Sequence, residues 1–192
     1  MKYVVLLWCV WMCVTGTATA KPIDEQTLKT VETYLNTIRS LKSEFTQIAP
    51  DGSASEGTLW IKRPGKMRWE YHPPVPVLMV TTGTFLRYYD SELEQVSDIP
   101  IQGSIASVLI EDVIHFHDSS LKILSASTKD GMATVKVAHR GKEDEGAITF
   151  ECELRPTKLR AIIMKDAKGE ETHIALGNAE LNIPLKNSLF EL

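Results

Sequence analysis

The stretch Gly57-Thr58-Leu59-Trp60-Ile61-Lys62-Arg63-Pro64-Gly65-Lys66-Met67-Arg68-Trp69-Glu70-Tyr71 constrains the fold more than any other part of the chain. Two alternating runs flank Pro64-Gly65, in which Pro presets φ and Gly tolerates positive φ, so the stretch predicts a β-hairpin. Leu59 and Ile61 share one face of the first run, with Thr58, Trp60 and Lys62 on the other. In the second run Met67, Trp69 and Tyr71 alternate with Lys66, Arg68 and Glu70. A hairpin with one large apolar face must bury that face against something. Its other face is cationic at Lys62, Lys66 and Arg68.

The first twenty residues read as a secretory signal peptide. Lys2 supplies a short positive segment, Val4 to Val14 is an unbroken apolar run, and Ala18-Thr19-Ala20 is a small-x-small cleavage site. The apolar run is too short to span a bilayer comfortably. Acylation is not expected, because Trp8 precedes Cys9 and Met12 precedes Cys13, where a lipoprotein signal places small residues. Residues 21–192 are then one domain, long enough for a sizeable core. Loss of residues 1–20 removes one lysine and no acid, taking the formal net charge from −4 to −5. That mild acidity argues against nucleic acid as a partner. Cys152 alone remains after the signal. It alternates with Ile148, Phe150 and Leu154 on an apolar face and reads as a small buried hydrophobe.

Asp24 is placed to cap a helix running to about Ser40, with Leu28, Val31, Leu35, Ile38 and Leu41 as its apolar stripe beside Tyr34. Almost everything after it reads as strand: 44–48, the hairpin, 77–80, 85–89, 94–97, 121–124, 133–139, 147–154, 159–165 and about 171–176. The cluster His72-Pro73-Pro74-Val75-Pro76 breaks the ladder. Ile101 to Ile110 departs from alternation and predicts one or two short helices, with Asp98 or Ser104 as cap. The tail after Leu181 reads as a loop with apolar anchors. The fold class is therefore mostly β (α+β), a large curved antiparallel sheet covered by a few helices. Incomplete cover leaves an apolar concavity, which normally serves a ligand or partner.

Four stretches resemble the LolA family of periplasmic outer-membrane lipoprotein carriers. They are Ser40 to Gln47, Gly57 to Tyr71, Val80 to Asp90 (with Thr82 where the family usually has Asp), and Asn182-Ile183-Pro184 with Ser188-Leu189-Phe190. The resemblance implies a half-open β-barrel with helices as a lid over an apolar cavity. It implies a periplasmic, monomeric chaperone without catalytic residues, cofactor or metal. Its partners would be triacylated lipoproteins, an inner-membrane ABC exporter that supplies them, and an outer-membrane receptor that takes them. The Arg of the family's Lys-Arg-Pro motif, which helps hold the lid closed and governs transfer, falls on Arg63. The apolar cavity-lining residue after it falls on Met67. The chain ends soon after Phe190, which implies little of the C-terminal extension that some carriers use to keep transfer one-way. Lipid-anchored receptors and envelope-stress sensors share the fold, so an envelope lipid-binding or sensor protein is the alternative.

Candidates for the acyl cavity are Met67, Trp69, Leu59, Ile61, Phe45, Leu78, Val80 and Phe85, each of which also suits ordinary core. Alternation does not say which face is concave. Lys62, Lys66 and Arg68 suit a cationic docking edge, though a solvated face explains them as simply. Glu111, Asp112, His115, His117 and Asp118 are metal-capable residue types, and a strand there would put His115 and His117 on one face. No distant residue completes a recognisable ligand set, and no nucleophile-elbow or Gly-rich loop motif points to an enzyme.

Overall fold

The computed structural model describes residues 22–192. The expected signal peptide and its cleavage site near Ala20 lie outside the described residues. Helix α1 (Glu25–Thr37) opens the fold. Asp24 caps it, its carboxylate accepting from the backbone N–H groups of Gln26 and Thr27 and from the Thr27 hydroxyl. The helix stops three residues short of the expected end, because Ser40 already pairs with Lys62 in the sheet.

Twelve strands follow: β1 (Ser40–Ile48), β2 (Ala54–Lys62), β3 (Lys66–Tyr71), β4 (Val77–Thr81), β5 (Phe85–Asp90), β6 (Gln95–Pro100), β7 (Leu121–Lys129), β8 (Met132–His139), β9 (Gly146–Leu154), β10 (Thr157–Asp166), β11 (Glu171–Leu176) and the short β12 (Glu180–Leu181). They form one antiparallel sheet in the order β6-β5-β4-β3-β2-β1-β11-β10-β9-β8-β7, with β12 joining β1 at the side. The sheet is open, since β6 and β7 are edges. Most turns fall where Gly and Pro predicted them. The segment 101–110 holds one 3₁₀ turn, Ile105–Ile110, capped by Ser104. Asp98, the other expected cap, instead lies in β6 and pairs with Arg87.

Strand pairing puts Leu41, Phe45, Leu59, Ile61, Met67 and Trp69 on one face of the N-terminal half. Leu176, Ile174, Ile162, Phe150 and Val135 continue that face across the C-terminal half. A bulge at Arg160 keeps Leu159 and Ile162 on the same side. The two halves share one buried cluster with Leu28, Val31 and Leu35 of α1 and Val108 and Leu109 of the 3₁₀ turn. One sheet face can reach a common cluster with a helix only by curling round it, and this gives the half-barrel its concave side and its lid. Cys152 is fully buried within it, and burial pushes its thiol up to about 12.

The tail is more ordered than a loop. Leu181 pairs with Leu41, and a second 3₁₀ turn, Asn187–Phe190, buries Phe190. That turn packs on the outer, convex face of β3.

A latch between barrel and lid

The turn between β2 and β3 projects Arg63 under the lid. Although it is a turn residue before Pro, Arg63 is only 8% exposed. Its Nη1 donates to the Leu35 carbonyl at 2.7 Å and its Nε to the Leu109 carbonyl at 3.0 Å. The last carbonyls of a helix lack intrahelical partners and carry partial negative charge. Helix α1 has no basic residue in its last turn. Arg63 supplies that cation from the sheet and joins α1 to the 3₁₀ turn with the same planar group. Gly65, held at φ +80°, donates its N–H to Ile110 at 2.8 Å, so the same turn grips the lid twice. Burial, and then Arg39, lower Arg63 to about 10, with Glu111 and Asp112 opposing; the guanidinium keeps its charge at neutral pH.

Other side chains tie the lid to itself. Asn36 donates to the Ile114 carbonyl and accepts from the Ile114 N–H, both at 2.8 Å. The Glu32 carboxylate accepts from the Phe116 N–H at 2.7 Å, and Arg39 pairs with Asp112. Nothing in the spacing of Asn36 or Glu32 announced these roles, since both look like ordinary polar positions of an amphipathic helix.

The eight cavity candidates do not form one surface. Met67, Trp69, Leu59, Ile61 and Phe45 lie together on the concave face, all buried. Leu78, Val80 and Phe85 do not join them. Leu78 pairs with Glu70 and Val80 with Arg68, so both share the opposite, convex face, and Phe85 follows in register with Pro100. Val80 and Phe85 line an outer cleft with Phe190, and Leu78 lines another beside Pro73 and Pro76. The concave positions of β4 and β5 are Met79 and Leu86, paired with Trp69 and Thr81 respectively. The Pro73–Pro76 break resets the alternation, which is why sequence parity chose the wrong residues there.

The cationic residues divide as well. Lys62 donates to the Leu185 carbonyl and to Asn187, and Arg68 donates to the Leu189 carbonyl and pairs with Glu70. Both hold the tail against the barrel, while Lys66 is half-buried beside the latch turn. His115 and His117 sit in a loop, not on a strand, because no partner strand reaches 112–120; His117 faces Glu25 at 3.1 Å. Burial raises Glu111, with His139 the strongest opposing influence. Among the described residues no three His, Cys, Asp or Glu converge as a metal site.

Residues 36–192 match the family described as outer membrane lipoprotein carrier protein LolA. The chain belongs to that family. An outer-membrane lipoprotein carrier protein of Methylococcus capsulatus is 29% identical over 170 residues, covering 84% of this chain and 80% of the relative. An uncharacterized protein of Rickettsia prowazekii is 33% identical over 123 residues, covering 64% of this chain and 57% of the relative, so the chain spans just over half of that protein. Among solved structures, a DUF1329 family protein from Desulfovibrio piger superposes with a TM-score of 0.52 at 12% identity, covering 87% of this chain and 95% of that one, and shares the fold. LolA is a family of periplasmic carriers, not of enzymes, and the Arg63 latch and the apolar concave face of this member are to be read in that setting.

Proposed function

We propose that the protein is exported, cleaved near Ala20, and acts as a monomeric periplasmic chaperone. It takes triacylated lipoproteins from an inner-membrane ABC exporter and delivers them to an outer-membrane receptor. The observation that carries this reading is the pair of hydrogen bonds from Arg63 to the two lid carbonyls.

The task sets an energetic problem. Each buried methylene contributes about 0.8 kcal/mol, so one chain of ~16 carbons contributes roughly 12 kcal/mol and three would make release nearly impossible. A closed lid offsets this, because cargo entry must first break the Arg63 contacts and expose Leu28, Val31 and Leu35. Opening then lowers the net affinity by its own free energy. A guanidinium that keeps its charge when buried, with several fixed donors, suits such a latch. The concave residues receive the acyl chains, and Met67 and Met79 adapt to their shape.

The test is release of an acylated lipoprotein from spheroplasts, followed by transfer to receptor-bearing membranes, with wild type and Arg63→Leu. Wild type should form a soluble one-to-one complex and unload it. Arg63→Leu should load cargo and fail to pass it on; normal transfer by that variant would sink the latch. If neither protein releases lipoprotein and both bind free fatty acid, the envelope lipid-binding or sensor reading replaces the carrier.

A further inference from the structure

Among the described residues one buried side-chain polar atom lacks a hydrogen-bond partner, and it lies on the concave face. Trp69 is 5% exposed, and its indole Nε1–H finds no acceptor among the described residues. The indole nitrogen is a donor only, and a buried donor without a partner costs free energy. Its surroundings explain the isolation. Leu59 and Met79 flank Trp69 on the neighbouring strands. The Phe45 ring lies 5.0 Å away. Tyr71, two residues along β3, donates its hydroxyl hydrogen to Gln47 at 2.9 Å. A phenylalanine would fill an apolar site as well and leave no such group, so the tryptophan at this position brings a donor that the fold itself does not use.

We infer that Trp69 is a polar anchor for cargo: its Nε1–H donates to the carbonyl oxygen at the head of a buried acyl chain, in an ester or amide linkage. This rests on the carrier reading of the concave face and adds a chemical preference to it. Hydrocarbon alone slides freely along an apolar wall. A single donor fixes how deep each chain sits and separates acyl groups, which carry a carbonyl, from alkyl ethers and free hydrocarbons, which do not. Pairing also removes the desolvation cost of the free N–H, so the bond forms at an advantage that an exposed donor would not have.

The test uses the purified protein with two matched lipid pairs: 1,2-dipalmitoylglycerol against its di-O-hexadecyl ether, and N-palmitoylethanolamine against 2-(hexadecyloxy)ethanol. Wild type should bind the carbonyl-bearing member of at least one pair about three- to ten-fold more tightly, and the pair that discriminates identifies ester or amide. In Trp69→Phe that ratio should fall to about one, whatever the variant does to overall affinity. The ratio within each protein cancels general damage. A second readout needs no folded variant: the wild-type indole N–H resonance that vanishes in Trp69→Phe should move downfield with the carbonyl lipid and not with the ether. Equal binding within both pairs by wild type, or a preference that survives Trp69→Phe, overturns the anchor and leaves the carrier standing. Failure of wild type to bind any of the four lipids overturns both.

Discussion

Gly57 shows how one atom shapes the concave wall. It pairs with Phe45 across β1 and β2, and a Cβ there would come within 2.2 Å of the Glu70 carbonyl and 2.5 Å of the Phe45 ring. The missing side chain is the space into which Phe45 turns to meet Trp69 and, edge-on, Tyr71. Gly57→Ala should therefore cost about 1–3 kcal/mol in chemical denaturation; an unchanged midpoint would mean that the β3 backbone at Glu70 and the Phe45 ring both give way freely. Cys152 gives a residue-scale pH dependence. Burial holds its thiol at about 12 against a usual 9.0. Over that interval the unfolded chain has lost the proton and the native chain has kept it, so this contribution is full below pH 9 and is lost as pH rises toward 12. Stability should fall in that window for wild type and fall less for Cys152→Ala, as thermal melts in a pH series would show.

At the scale of elements, the lid is stitched to itself more firmly than its short helices would suggest. Helix α1 holds the loop after the 3₁₀ turn through Asn36 and Glu32, while the sheet holds both through Arg63. Asn36→Ala should leave the sheet intact and loosen the lid, accelerating amide exchange across 105–118 about ten-fold, the equivalent of one to two hydrogen bonds. Uniform acceleration across β9 and β10 would show instead that lid and barrel open together. On the opposite face the tail is a strap held by Lys62 and Arg68. These two cations are spent on structure; of the three on the cationic face, Lys66 alone makes no hydrogen bond to the tail among the described residues.

At the scale of the molecule, the proposed carrier function treats the open sheet, the lid and the latch as a two-state device. Arg63 makes two charge-assisted bonds, and removing them should weaken closure by about 3 kcal/mol, raising apparent cargo affinity on the order of 100-fold. That is the physical source of the trapping expected for Arg63→Leu. Cargo should also change exchange in a defined pattern. Amides of α1 and of 105–118 should exchange faster in the loaded protein, and those of β9 and β10 should stay protected. Slower exchange throughout the lid on loading would mean that cargo binds beneath a closed lid.

Local order was legible in the sequence because its causes are local. The cap at Asp24, the turn at Pro64-Gly65, the hairpin periodicity and the burial of Cys152 follow from neighbouring residues alone, and so did the resemblance that named the family. Strand parity was legible only within an unbroken run. It placed Met67, Trp69, Leu59, Ile61 and Phe45 together, then failed for Leu78, Val80 and Phe85, since a proline-rich loop can re-enter a sheet on either phase. The partners of Arg63 lie 28 and 46 residues from it. Only tertiary folding brings the two lid carbonyls to one guanidinium, because neither helix end carries a pattern that specifies where its last carbonyls will point; the Leu35 carbonyl already accepts the Ile38 N–H at 3.2 Å and takes Arg63 as a second donor. By itself the sequence determined the strands, the apolar hairpin face and the family. The tertiary structure decided which face is concave, what closes it, and that the indole of Trp69 stands unpartnered inside it.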